Sequence, residues 1–209
     1  MGKKRSASSG RWLHEHFKDD YVQRAQAEGY RSRAVYKLAE MHRKHALFKP
    51  GMVVVDLGAA PGAWAQFAAE RVGVRGRVLA LDRLPIAALA GVDCYRGDIN
   101  DSASADWLRE MLNGDTASLV LSDMAPNISG NKQVDQPRCM QLADMALATA
   151  QAVLGKGGDV LIKVFQGEGI DQWRRALSAN FSKVYAIKPK ASRPRSPELY
   201  YLARTYLKP

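Results

Sequence analysis

Val53-Val54-Val55-Asp56-Leu57-Gly58-Ala59-Ala60-Pro61-Gly62-Ala63-Trp64 is the stretch that decides the fold. Three β-branched residues predict a buried strand, an acid stands where that strand should end, and a Gly-Ala-Ala-Pro-Gly turn leads into a helix predicted over 64–72. A nucleotide-binding α/β unit opens in this way. Small residues let backbone approach a ligand, Pro61 presets a helix-compatible φ, and the following helix offers unpaired N–H groups at its start. A nicotinamide-binding turn calls for Gly-x-Gly-x-x-Gly. Only Gly58 and Gly62 are present, four apart, with Asp56 two residues before the first, which counts against a dinucleotide. On this stretch alone an ordinary βα turn stays open.

Outward from it, strand and helix patterns alternate, which argues for a mostly parallel sheet covered on both faces. Strands are predicted over 76–82, 92–98, 118–123, 160–165, 183–187 and 198–207, and helices over 101–112, 137–154 and 169–181. Upstream, a helix is predicted over 11–28, ending near Gly29, and a second begins after Ser32 as its N-cap and carries Lys37. Val160-Leu161-Ile162-Lys163-Val164-Phe165 is an apolar run broken by one lysine. In a strand buried on both faces an ammonium costs several kcal/mol unless it is paired or stands at the sheet end, so Lys163 needs a reason. The segment 188–197 is basic and broken by prolines, poor for regular structure and suited to phosphate contacts.

With 209 residues, 46% of them hydrophobic, the chain suits one well-buried domain: a basic arm and helical extension over 1–50, then the main α/β domain over 51–209. The net charge of +10 divides unevenly. Residues 1–50 hold 12 Lys/Arg against 5 Asp/Glu, residues 51–182 hold 12 against 15, and residues 183–209 hold 7 against 1. Two basic ends around a mildly acidic middle are expected where both ends approach a polyanion such as nucleic acid. Cys94 and Cys139 form no Cys-x-x-Cys and have no nearby histidine pair, so reduced, buried thiols are expected, with no disulfide and no metal site. The first ten residues lack the apolar core of a signal peptide, and no run approaches the ~20 apolar residues of a membrane span, so a cytoplasmic protein without a membrane partner is expected.

Asp56, Asp82, Asp98 and Asp123 each stand at a predicted strand end, where open α/β sheets bind ligands. Carboxylates suit ribose hydroxyls and amino groups as hydrogen-bond acceptors and repel a triphosphate. S-adenosylmethionine fits that demand. Trp64, beside the turn, belongs either to the pocket or to the core.

Ser-Arg-Ala-Val-Tyr-Lys-Leu at 32–38, Val-Asp-Leu-Gly-Ala-Ala-Pro-Gly-Ala-Trp at 55–64, Ser-Asp-Met-Ala-Pro-Asn at 122–127, Ile-Lys-Val-Phe-Gln-Gly at the fifth strand and Lys-Pro-x-x-Ser-Arg-x-x-Ser at 188–196 together resemble the FtsJ/RrmJ (RlmE) family. The resemblance runs in order over nearly the whole chain. It implies a Rossmann-like class I S-adenosylmethionine-dependent methyltransferase fold of about seven strands, mostly parallel with the last antiparallel. It also implies methylation of the ribose 2′-OH of one uridine in the peptidyl-transferase A-loop of large-subunit (23S) ribosomal RNA, on the assembled 50S subunit, with release of S-adenosylhomocysteine; nothing in the sequence demands more than a monomer, which is the expected state.

By the same resemblance, the catalytic tetrad falls on Lys37, Asp123, Lys163 and Glu198, and the cofactor contacts on Gly62, Trp64, Asp82, Asp98 and Asp123. Lys163 is the expected proton acceptor. Burial and Lys37 favour its neutral amine while Asp123 and Glu198 favour the ammonium, so its resting charge stays open, and a charged Lys163 that only stabilises the developing alkoxide is the alternative. Lys3, Lys4, Arg5, Arg31 and Arg33 on one side and Lys188, Lys190, Arg193 and Arg195 on the other are expected to cradle RNA phosphates. Ala63 departs from the family's usual glycine and is expected to crowd the cofactor slightly; Tyr36 replaces phenylalanine and adds a hydroxyl. Two other classes stay open: a catalytically silent RNA-binding assembly module, and a nicotinamide oxidoreductase.

Overall fold

A computed structural model describes residues 19–208. Helices α1 (Asp20–Ala27) and α2 (Val35–His45) precede β1 (Val53–Leu57), α3 (Ala63–Val72), β2 (Arg77–Asp82), β3 (Val92–Arg96), α4 (Ser102–Leu112), β4 (Ala117–Ser122), α5 (Lys132–Val153), β5 (Leu154–Phe165), α6 (Ile170–Asn180), β6 (Phe181–Ile187) and β7 (Glu198–Tyr206). Seven strands form one sheet in the order β3-β2-β1-β4-β5-β7-β6. Neighbours pair parallel from β3 to β5, whereas β7 runs antiparallel to both β5 and β6. Strand order reverses between β1 and β4, so the crevice of this α/β sheet opens at their carboxyl ends.

Both faces of the sheet are covered, as its near-continuous apolar strands require. In β1, Val54 packs into a core shared with Leu38 and Met41 of α2 and with Ala65 and Phe67 of α3. The next residue, Val55, packs on the other side with Leu108 of α4 and Leu147 of α5. The helical extension is therefore part of the main core. Aromatic pairs join its two helices and tie it to the domain: Tyr36 lies 5.4 Å from Tyr21 within the extension, and Tyr30 6.4 Å from Phe67 of α3, between ring centroids. The Tyr36 hydroxyl donates to Glu28 Oε2 at 3.0 Å, which gives that hydroxyl its role of holding α2 to the end of α1.

Several expectations are corrected. Of the helix expected from residue 11, the described part is α1, which begins after Asp19, whose Oδ1 accepts from the Tyr21 N–H at 3.1 Å; Trp12 and Phe17 lie outside the described residues. Ser32 caps the turn ahead of α2 by accepting from the Ala34 N–H, while the helix proper follows Ala34. Helix α3 starts at Ala63, one residue earlier than expected, after Gly62 at φ 108°. The longest helix starts at Lys132, because Asn131 caps it and Asp135 accepts from the Ser129 and Gly130 N–H groups, folding the preceding loop back on its first turn. It also ends earlier, so Gly157 and Gly158 belong to the opening of β5. Cys139 is buried as expected, but Cys94 is exposed, because β3 is an edge strand.

Candidate active site

The antiparallel pairing of β5 and β7 assembles the centre. Lys163 lies directly opposite Tyr200 and Phe165 opposite Glu198, so their side chains share a face, and the pleat puts Glu198 and Tyr200 on that face too. This face looks toward α2, which brings in Lys37. Asp123 follows β4, the other neighbour of β5.

The side chains form one connected chain of polar contacts. Lys37 Nζ lies 2.9 Å from both Glu198 carboxylate oxygens and donates to the Tyr200 hydroxyl at 3.2 Å. That hydroxyl donates to Asp123 Oδ1 at 2.6 Å, and Lys163 Nζ lies 3.0 Å from the same oxygen. Lys163 also donates to the backbone carbonyl of Asp123. All four tetrad residues are thus in one network. Tyr200 is a fifth member that sequence reasoning missed; its signal was the i+2 spacing from Glu198 on a strand, concealed because a buried tyrosine reads as core.

Burial opposes ionisation of Asp123, but Lys163, Lys37 and the Tyr200 hydroxyl outweigh it and hold the carboxyl below the usual aspartate range. Burial, reinforced by Asp123 and Glu198, pushes the Tyr200 phenol well above its ordinary value, so it stays a donor. Lys163 itself is 7% exposed, and its partner Asp123 offsets the cost of the amine in the strand.

On the other side of the crevice lies the glycine turn. Asp82 accepts from the Ala60 N–H at 2.9 Å and the Leu84 N–H at 2.7 Å, joining the turn to the segment after β2. Asp98 accepts from the Asn100 N–H at 3.0 Å and stands 3.4 Å from Arg83 Nε. Asp56 is 1% exposed, and its Oδ2 has no hydrogen-bond partner among the described residues. Burial, with Asp123 and Asp82 nearby, pushes its carboxyl up to about 8. A Cβ at Gly58 would meet Met124 Cγ at 2.3 Å, and one at Gly62 would meet Arg31 Nη1 at 2.9 Å, so the turn admits a neighbour only because both residues are glycine. An orphaned buried carboxylate oxygen, two further acids and a bare backbone turn fit a ligand with amino and hydroxyl donors.

The remaining predicted residues divide. Trp64 is buried, its indole N–H donating to Ala34 O at 2.8 Å and its ring 5.8 Å from that of Tyr200, so its side chain serves the core. Ala63 is 1% exposed within the same core. Arg31 donates to the carbonyls of Pro61, Ala87 and Ala88 at 2.7–3.0 Å, tying the turn to the segment after β2. Arg33 is engaged by Asp19 at 2.7 Å and by Ala191 O at 2.6 Å. Lys188, Lys190 and Arg195 are exposed and Arg193 partly so; their loop is closed by a bond from Lys188 to Ser196 O and anchored on α2 by the Lys190 N–H donating to Glu40 at 2.6 Å. Lys3, Lys4 and Arg5 lie outside the described residues. Among the described residues no group of three His, Cys, Asp or Glu side chains is placed to hold a metal, and no helix is long and apolar enough to cross a membrane.

Comparison with known proteins adds independent findings. The family model described as FtsJ-like methyltransferase matches residues 30–206. Ribosomal RNA large subunit methyltransferase E of Alkalilimnicola ehrlichii is 56% identical over 207 residues, 99% of each chain. Among solved structures, a Plasmodium falciparum protein assigned as a ribosomal RNA methyltransferase superposes with a TM-score of 0.78 at 27% identity, over 86% of this chain and 100% of that one. Fibrillarin, a pre-rRNA processing protein of Methanococcus jannaschii, superposes with a TM-score of 0.55 at 18% identity, over 77% of this chain and 69% of its own, a likeness of fold alone.

Proposed function

This chain belongs to the FtsJ-like methyltransferase family, and on that premise we propose that it transfers a methyl group from S-adenosylmethionine to the ribose 2′-OH of one uridine in the A-loop of large-subunit ribosomal RNA, acting as a monomer on the assembled subunit in the cytoplasm. The relative that shares 56% of its residues bears the name of a large-subunit ribosomal RNA methyltransferase, which supports the substrate class. Family membership also removes the nicotinamide oxidoreductase reading. The observation that carries the chemistry is the contact of Lys163 with Asp123 inside the Lys37–Glu198–Tyr200 network.

A ribose hydroxyl is a weak nucleophile, so it must be held ~3–3.5 Å from the methyl carbon, in line with the leaving sulfur, and relieved of its proton. S-adenosylmethionine, when bound, supplies a methyl group on a positively charged sulfur. Asp82 and Asp98 would accept from its ribose and adenine donors, Asp56 and Asp123 would face its amino group, and the backbone at Gly62 and Trp64 would approach closely. Lys163 is the proton acceptor. Asp123 receives two of its N–H bonds, through the backbone carbonyl and Oδ1, so once RNA and cofactor exclude water and the ammonium gives up its third proton, the lone pair faces the remaining direction, where the hydroxyl arrives. Lys37, fixed by Glu198, keeps a positive charge beside the oxygen as it loses its proton. The basic loop 188–195 holds phosphates and leaves selection to RNA shape and unpaired bases.

The test is transfer of labelled methyl groups to unmodified large-subunit RNA, free and in assembled subunits, followed by mapping of the product. Label on one ribose in the A-loop, with subunits preferred over free RNA, is the expected result. Label on a base, or scattered over many nucleotides, would refute the proposal.

A further inference from the structure

At the amino-terminal ends of the strands, opposite the catalytic end of the sheet, lies a cavity of about 550 Å³. The turn before β1 contributes Lys49, the opening of β5 Lys156, and the edge strand β6 Lys183 and Tyr185. The three lysines are exposed and have no carboxylate partner among the described residues. The one acid in the wall, Asp159, is already engaged, with Oδ2 3.0 Å from Arg204 Nε and Oδ1 accepting from the Thr205 N–H at 2.9 Å. Positive charge thus surrounds the space without compensation.

Two further features mark the wall as built. Thr205 holds a left-handed backbone at φ 61°, uncommon for a β-branched residue, and Asp159 fixes it there. Tyr185 is a large aromatic 39% exposed, its ring 5.5 Å from that of His45. Lysines also occur on edge strands to prevent pairing with a second sheet, but that role accounts for neither Tyr185 nor Lys156 nor the strained Thr205.

An exposed ring beside unpaired ammoniums is what single-stranded RNA requires, a stacking platform for a base and cations for its phosphates. Lys183 and Tyr185 share one face of β6, and the strand leads up to Lys188 of the basic loop, roughly 17 Å from Lys183 at the usual rise per residue. We infer that this cavity is a second RNA contact, taking phosphates on Lys49, Lys156 and Lys183 and stacking a base on Tyr185, reached by a strand that runs along β6 from the catalytic end. The inference rests on the proposed RNA substrate and extends it to the far edge of the sheet.

The experiment measures binding of the full chain to protein-free, unmodified large-subunit RNA across a salt series, beside methyl transfer and S-adenosylmethionine affinity. In Lys156→Gln/Lys183→Gln the expected result is RNA affinity about tenfold weaker at physiological salt and a log–log salt slope shallower by about 1.4, two phosphates' worth on single strands. Tyr185→Ala should bind at least about fivefold more weakly with the slope unchanged, and Tyr185→Phe, which keeps the ring, should bind as the parent does, separating stacking from a folding defect. Cofactor affinity stays constant throughout. Parental affinity and slope in the double-lysine variant would overturn the inference. A parent chain that binds RNA but transfers no methyl group to free RNA or to assembled subunits would sink the proposed function instead, while the salt slopes would still decide the cavity.

Discussion

Replacing Tyr200 by phenylalanine removes one oxygen from the centre of the network and leaves the buried ring in place against Trp64. Two contacts disappear, the 2.6 Å bond to Asp123 Oδ1 and the 3.2 Å bond from Lys37. Lys37 keeps both Glu198 oxygens at 2.9 Å, so its loss is small. The bond to the Asp123 carboxylate is charge-assisted and worth about 1.5–3 kcal/mol, which for a chain of this size lowers the melting midpoint by roughly 3–12 °C. Asp123 also loses one of the groups that hold its carboxyl low, so that carboxyl titrates higher. Activity that requires ionised Asp123 is then lost at a higher pH on the acid side. Single-turnover methyl transfer, measured over a range of RNA concentrations and across pH beside calorimetric melting, should show a maximal rate about tenfold lower, an acid limb moved toward neutrality and an unchanged half-saturating RNA concentration. A variant that melts within about 1 °C of the parent with an unmoved acid limb would refute the network as drawn.

Two further outcomes follow from the cofactor side. Folded Asp56 keeps its proton to about pH 8, whereas the unfolded chain gives it up near ~4. Between those values the folded state binds the extra proton, so stability of the ligand-free protein falls as pH rises, by several kcal/mol at most from this group, and Asp56→Asn should flatten the melting midpoint measured from pH 5 to 8. The same slope in parent and variant would contradict the buried, protonated carboxyl. Arg31→Ala frees the turn at Pro61 from the segment at Ala87 and Ala88, and the S-adenosylmethionine Kd should rise about tenfold. Its RNA salt slope should be unchanged; a fall of about 0.7 with unaltered cofactor affinity would return Arg31 to the phosphate contacts.

The sheet was legible because its strands are short apolar runs ending in acids or turns, and the glycine turn at 58–62 fixed where the crevice opens. Lys163 was legible for the opposite reason, as a charge in a strand with no polar face. What escaped the sequence was long-range. Tyr200 becomes polar only when β7 lies against β5, and Arg31 and Arg33 looked outward until carbonyls from distant loops took their donors. The start of α5 was misread because Pro137 resembles a first-turn proline, while the true cap, Asn131, works with Asp135 across a loop. The far cavity gave no local signal at all, since Lys49, Lys156 and Lys183 are scattered along the chain and meet only at the foot of the sheet.

The chemistry of the product tests the central claim most directly. A methyl group on a ribose 2′-oxygen blocks alkaline cleavage of the adjoining phosphodiester, so RNA methylated with labelled donor and then hydrolysed in alkali should carry its label in alkali-stable dinucleotides. Lys163→Ala, assayed at saturating cofactor with its cofactor Kd checked to be that of the parent, should yield almost none. Label released as mononucleotides, or a Lys163→Ala variant that fills the dinucleotide fraction at the parent's rate, would contradict a lysine-assisted transfer to the ribose.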